Sequence, residues 1–363
     1  IVVGNLARSS ADRTKAMAEA EEALRLDPRL GEAHFARAKC LQDAGDHNAA
    51  AREIDLALAD LPDDTHVVYL AASLHRRQGK WEQSLAEFRK ALALGPSNLS
   101  SATDLAYHLS QMRDWPAATR AWDRALGVAP EWMFNKICRA YVDLWAKGDT
   151  TRNKALLAST PPDYQGQFQT FLEWMRWDTS LIERDPAAAE VAVAAMTADP
   201  LRYGYPVPAP KSYFRGCIEL VRGNREAALV QFEQARGKWE TDVAARPDSA
   251  QLHAQLGLLY AFMGRNEEAI REGERAAEIT PPSKDAFDGT GVQTVLAMIY
   301  ARADQPEKCL ALLHHLLTVP GALNYDTSIT LGDLRRRWQW DPLRTNPEFQ
   351  KIVDSPDPKT VIP

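Results

Sequence analysis

Few residues in this chain have the type and spacing that chemistry needs. His314 and His315 are adjacent. On a helix, neighbours point about 100° apart, so the two rings cannot share a metal ion as residues one turn apart would. Asp63 and Asp64 could be read as a carboxylate pair for acid–base work, but they follow Pro62, where acidic side chains cap the next helix. Arg335, Arg336 and Arg337 stand beside Trp338 and Trp340, a pattern that could stack on and pair with nucleic acid. The 363-residue chain has a net charge of −6, and phosphate binding needs a basic face, so packed tryptophans with solvated arginines are the preferred reading. Cys40, Cys138, Cys217 and Cys309 lie far apart, without metal-ligand or disulfide spacing, and read as buried free thiols. The sequence has no glycine-rich phosphate loop and no His-Glu-x-x-His. The expectation is a protein that is not an enzyme and holds no cofactor or metal. One enzymatic alternative stays open, with Tyr203, Tyr205 and Lys211 as a site in the stretch 199–211.

The strongest signal concerns the elements that would position any function. Pro28, Pro62, Pro96 and Pro130 recur at intervals of 34 residues. With each proline counted as residue 32 of a unit, position 8 reads Gly4, Ala38, Ala72 and Ala106. Position 20 reads Ala16, Ala50, Ser84 and Ala118, and position 27 reads Ala23, Ala57, Ala91 and Ala125. All are small, which lets two helix backbones approach where a leucine would overpack. Position 24 carries Ile54, Phe88 and Trp122 in three units and fills the space between them. Gly45 and Gly79 fall where a left-handed cap ends the first helix of a unit, with Arg113 in the third, and the prolines end the second helix.

This pattern resembles the tetratricopeptide repeat, a helix–turn–helix unit that stacks into a solenoid. The stretch from Gln251 to Pro281 carries it most fully, with Leu256, Gly257, Tyr260, Gly264, Ala269, Ala276 and Pro281. It departs at Gly273, where the family has an aromatic residue. That leaves a gap or admits a side chain from a neighbouring helix. The resemblance implies an all-α, right-handed superhelical solenoid of about nine helical hairpins with a C-terminal cap.

Along the chain, residues 1–160 are expected as an N-terminal array and 161–211 as a divergent hairpin with a proline-rich connection. Residues 212–320 follow as a second array and 321–363 as a capping tail. Residues 199–211 include Pro200, Pro206, Pro208 and Pro210, so they cannot be helix. They read either as a flexible joint or as a segment folded into the groove, breaking the array in two. The divergent hairpin is expected at 164–184 and 187–198, and the last unit at 294–317 after an insertion at 282–291. Asp341-Pro342 and Asn346-Pro347 read as helix starts. The run Trp340-Asp341-Pro342-Leu343-Arg344, with Pro347 and Phe349 beyond it, resembles the closing segment of bacterial multidomain signalling proteins. In those proteins a C-terminal tetratricopeptide region follows a kinase, a cyclase or a winged-helix domain. By its repeat register the chain opens inside a unit at Ile1, and both features imply a part of something longer. No apolar stretch is long enough to span a bilayer, so no membrane insertion is expected.

In such arrays positions 2, 5, 9 and 12 of each first helix line the concave face. The resemblance thus implies a groove bearing Phe35, Lys39, Tyr69, Ser73, Arg76, Tyr107, Phe134 and Tyr141. Aromatic anchors with two cations suit a protein or peptide ligand. The competing expectation is that Ile137 and Tyr141 are buried by the next helix. The carboxylate clamp of co-chaperone relatives is not present, because its places hold Phe35, Lys39, Leu70, Ser100 and Asp104. The expected function is a protein-binding scaffold, the C-terminal interaction or regulatory part of a larger bacterial signalling protein, with no nucleic-acid partner. The second reading is a stand-alone assembly scaffold that forms homo-oligomers.

Overall fold

The structure is a computed structural model that describes residues 10–361 except 162, 204–206 and 325–326. Helix α1 (Ser10–Leu26) is followed by the hairpins α2 (Gly31–Asp43) with α3 (His47–Asp60), and α4 (Thr65–Arg77) with α5 (Trp81–Leu94). Then come α6 (Leu99–Gln111) with α7 (Trp115–Val128), and α8 (Met133–Lys147) with a short α9 (Thr151–Ser159). The divergent pair is α10 (Gln169–Ile182) and α11 (Pro186–Ala195). The second array comprises α12 (Lys211–Arg222) with α13 (Arg225–Ala245), α14 (Ala250–Met263) with α15 (Asn266–Ile279), and α16 (Asp288–Arg302) with α17 (Pro306–Leu316). The tail holds α18 (Leu331–Arg336), a 3-10 turn (Trp338–Leu343) and α19 (Pro347–Asp354). Among the described residues there is no strand, only a single bridge between Leu201 and Ala209.

The small-residue columns work as close helix approach requires. Ala38, Ala50, Ala57, Ala72, Ser84, Ala91, Ala106, Ala118 and Ala125 are all fully buried, as are Ile54, Phe88 and Trp122; Ala16 and Ala23, on the terminal helix α1, are only partly buried, and Gly4 lies outside the described residues. The Ser84 hydroxyl satisfies itself inside the column by donating to the Ala72 carbonyl at 2.6 Å. First helices end in left-handed turns at Gly45, Gly79, Gly148, Gly223 and Gly264, a backbone that costs glycine least. At Gly273 a side chain would begin 2.7 Å from Ile299 Cδ1. The neighbouring helix α16 therefore fills the space that the missing aromatic leaves.

One recurring device escaped the columns. His34 Nδ1 lies 2.8 Å from Glu53 Oε2, and its Nε2 lies 3.0 Å from the Pro28 carbonyl. His253 repeats this with Glu272 at 2.6 Å and Pro247 at 2.9 Å. Each histidine ties the first helix of its unit to the second and to the proline that ended the previous unit.

Several boundaries differ from expectation for identifiable reasons. Helix α16 begins at Asp288, inside the expected insertion, because the Asp285 carboxylate caps it by accepting from the N–H groups of Phe287 and Asp288, both at 2.9 Å. Helix α10 begins at Gln169, since Phe168 before it takes a left-handed conformation. Asn346 caps α19 as expected. Asp341 caps nothing; Pro342 lies inside the 3-10 turn, and the Asp341 carboxylate pairs with Arg184 in two contacts of 2.6 Å. Residues 201–203 and 207–209 are folded against the core. Tyr203 stacks on Trp174 at 5.1 Å, Trp239 Nε1 donates to the Pro208 carbonyl, and α11 packs directly on α12.

The tail packs on α16 and α17 and also reaches back to α8. Gly332 lies so close to the Leu144 carbonyl and the Gly148 backbone that a side chain there would collide with both. Arg337 is the correction to the solvated-arginine reading. It is fully buried, with Nη1 at 2.7 Å from Asp178 and Nε at 2.6 Å from Asp333. Tyr141 donates to the same Asp178 at 2.9 Å.

Replacing Ala106 with leucine should cost about 1–3 kcal/mol by overpacking, read as a lower urea midpoint. Arg337→Met leaves two buried carboxylates without their cation and should cost about 3–5 kcal/mol. A midpoint within error of wild type for Arg337→Met would mean that the tail does not depend on this contact.

Candidate functional site

Arg76 is the centre of the expected groove. It lies in the last turn of α4, one or two turns beyond Tyr69 and Ser73 on the same face. The Asp104 carboxylate from α6 accepts from the Tyr69 hydroxyl at 2.5 Å and from Arg76 Nη2 at 3.2 Å. The Arg76 guanidinium carbon is 5.3 Å from the Phe88 ring centre and 5.0 Å from that of Phe287. It is a cation held between two rings. Burial and the Asp104 charge push the Tyr69 phenol well above its usual range, so it remains a donor.

Arg77 reaches from the next position to the second array. Its Nη1 lies 2.5 Å from Asp285 and 2.9 Å from Asp288. Burial works against the Arg77 charge, yet Asp288 and Asp285 outweigh it and hold the guanidinium above its ordinary value. The Ala286 N–H donates to the Arg77 carbonyl at 2.7 Å. The same seam continues along α6. Gln111 Nε2 donates to the Leu323 carbonyl at 2.8 Å, and Thr360 Oγ1 donates to the Met112 carbonyl at 2.7 Å. The C-terminal carbonyls of α4 and α6, which a helix cannot satisfy itself, are thus met by the second half of the chain.

Four of the eight expected groove residues are therefore not a free contact surface. Ser73 and Arg76 are buried under this seam. Phe134 is covered by Phe168 at 5.3 Å, and Tyr141 by Trp174 at 5.9 Å. Ile137 is buried as well. Phe35, Lys39, Tyr69 and Tyr107 remain partly exposed. A crevice of about 90 Å³ persists at the seam, between Tyr107, Phe287, Asp288, Gly321 and Leu323.

A larger groove, about 680 Å³, was not anticipated from the sequence. It opens between α9, α10 and α11. The cause is length: α9 has 9 residues and α11 has 10, against 14 in each of α3, α5 and α7. Arg176 on its floor donates to the Leu157 and Thr160 carbonyls. The early Pro161 after a short helix was the available signal.

Among the described residues the enzymatic alternative finds Tyr203 and Lys211 engaged in packing and capping. Tyr203 is buried against Trp174, and the Lys211 ammonium donates to the Met196 carbonyl at 2.8 Å; Tyr205 lies outside the described residues. Among the described residues no three His, Cys, Asp or Glu side chains are placed to hold a metal, and the four cysteines are free and buried. Both His314 and His315 are exposed. No described helix is long and apolar enough to cross a membrane.

Residues 36–99 and 215–284 match the tetratricopeptide repeat family. A tetratricopeptide repeat protein from Parabacteroides merdae is similar in structure, at 17% identity over 62% of this chain and 87% of that one, with a TM-score of 0.49. The human IFIT1 dimer solved with m7Gppp-AAAA shares 18% identity over 73% of this chain and 57% of that one, with a TM-score of 0.40. Both likenesses concern architecture alone. No curated protein matches the chain by sequence.

The first tetratricopeptide block holds Arg76, Arg77 and Phe88. Beneath them on α6 sits His108, between Trp81 at 5.4 Å and Phe88 at 5.5 Å, with Nε2–H donating to the Trp81 carbonyl at 3.1 Å. Burial, helped by the Arg76 charge, pushes its pKa down from 6.5 to about 3. The unfolded chain binds a proton at His108 below pH 6.5, whereas the folded chain does not. The stabilisation is therefore complete above that pH and declines as pH falls towards 3. At pH 5 the loss is about 2 kcal/mol. His108→Gln should flatten the fall of stability between pH 7 and pH 5. An unchanged slope would show that another group controls it.

Proposed function

We propose that this chain is a non-enzymatic protein-binding scaffold that serves as the C-terminal interaction or regulatory part of a larger signalling protein. Tetratricopeptide architecture supports a protein partner. The net charge of −6 argues against a nucleic-acid backbone as the ligand. The tail run Trp340-Asp341-Pro342-Leu343-Arg344 supports the signalling setting by its resemblance to such proteins.

The observation that carries the reading is the open end of the groove. Phe35, Lys39 and Tyr69 stay partly exposed along α2 and α4, and no ion-pair partner faces Lys39 among the described residues. Two aromatic anchors around an unpaired cation are the makings of a binding hot spot. Tyr107 marks the inner limit of that surface. Ser73 and Arg76, buried further along α4, and Phe134 and Tyr141, buried on α8, lie outside it.

The test places a photo-crosslinking residue at Lys39 in the full-length protein and identifies what it captures. The purified partner is then titrated against wild type and a Phe35→Ala, Lys39→Ala variant. Affinity should fall by about thirtyfold, equivalent to about 2 kcal/mol, with the melting temperature retained. Unchanged affinity would put the partner elsewhere. A stable oligomer in light scattering at micromolar concentration would favour the assembly scaffold instead.

A further inference from the structure

The connection between α15 and α16 sits in the first-array groove as a bound peptide would. Its two carboxylates, Asp285 and Asp288, converge on Arg77 at 2.5 and 2.9 Å. The Phe287 ring lies 5.0 Å from the Arg76 guanidinium carbon, 5.5 Å from that of Arg77 and 6.1 Å from the Tyr107 ring. The backbone of Ala286 adds a main-chain hydrogen bond to Arg77 at 2.7 Å. Anchored side chains plus a main-chain hydrogen bond are the contacts by which peptide grooves read a segment.

The fit is incomplete at one place. Arg76 is 1% exposed, yet its Nε and Nη1 groups have no hydrogen-bond partner. The internal segment spends both carboxylates on Arg77 and offers Arg76 only a ring face. A buried donor left unmet is a standing cost that a better occupant removes. The segment also has room to leave. Ser283 and Lys284 are exposed, and Pro281 and Pro282 end α15 before it, so only the connection and the first turn of α16 need to move.

We propose that the first-array groove recognises acidic–aromatic protein segments of the pattern Asp-x-Phe-Asp. Residues 285–288 are its built-in occupant, and a partner segment with a further carboxylate for Arg76 displaces them. This rests on the protein-binding function proposed above and adds the partner's chemistry and its regulation. The groove is closed at rest, so the affinity a partner sees is reduced by the fraction of time the internal segment is away.

The probe is a fluorescent peptide of the chain's own residues 283–288, and a second peptide with one glutamate added after the final aspartate. A Phe287→Ala, Asp288→Asn variant keeps Asp285 on Arg77 but frees the pocket. It should bind the probe at least about tenfold more tightly than wild type, with the added glutamate tightening it further. Arg77→Gln in the same background should abolish binding. In wild type, millimolar peptide should speed hydrogen exchange at the Ala286 amide, and a control peptide with asparagine for each aspartate should not. No gain in the folded variant, or Ala286 exchange unmoved by peptide, overturns the proposal; if the variant does not fold, the exchange measurement decides. A partner that needs Phe35 and Lys39 but is not competed by the probe removes this inference and leaves the scaffold function standing. A partner indifferent to those two residues, with probe binding intact, moves its site away from Phe35 and Lys39 and leaves this inference standing.

Discussion

An arginine taken out of water must have its donors met by another element, and that requirement sets how the two arrays lie together. Three arginines span the seam. Arg77 meets Asp285 and Asp288, and Arg337 meets Asp178 across 159 residues of sequence. Among the described residues Arg113 meets no carboxylate within hydrogen-bond reach. Its guanidinium donates to the Leu316 and Val319 carbonyls at the C-terminal end of α17, where a helix carries partial negative charge, and to the Ile329 carbonyl just before α18. Burial pushes its pKa down to about 10, with Asp357 opposing the shift. The site also explains an anomaly in the repeat. The turn that glycine makes at Gly45 and Gly79 is made by Arg113 at φ 56°. A left-handed arginine is strained, but only a long side chain at that corner reaches the second array.

The elements were legible from the sequence because each unit repeats its own instructions. Small residues at fixed positions, glycine at the first turn and proline at the second are local signals, and every unit restates them. The closure was not legible, because Arg77 and Asp285 stand 208 residues apart and nothing periodic connects them. The run Arg335–Arg337 illustrates the same limit. On a helix end three neighbours point three ways: Arg335 is exposed and donates to the Val353 carbonyl, Arg336 pairs with Glu183, and Arg337 is buried. Composition alone treats them alike. Of the eight candidate groove residues, four are buried and four are partly exposed. Positions 5 and 9 do face inward, but the inward space is shared with α10, the α15–α16 connection and the tail.

The groove therefore has two ends with different physics. Towards α8 the aromatic residues Phe134 and Tyr141 have become core, stacked with Phe168, Phe171 and Trp174. Towards α2, Lys39 at the repeat position of Tyr141 and Phe35 at that of the buried Ile137 stay partly exposed. Burial rises along the array as the chain's own segments fill it. A repeat face built from aromatics and cations is suited to hold another chain, and here much of it holds its own.

The hydrophobic core divides at the same place. Ala38, Ala50, Ile54, Ala57, Val67, Leu70, Ala71 and Leu74 form a cluster separate from the main core, which begins with Ala72 and Phe88. A small cluster at one end of a solenoid can open without disturbing the rest, since each unit packs only on its neighbours. Arg76 and Arg77 stand at that division, on the last turn of α4, and the internal segment presses on them from the main-core side. An occupant arriving from the open end meets the smaller cluster first and the internal segment second. The same two side chains thus join α4 to residues 285–288.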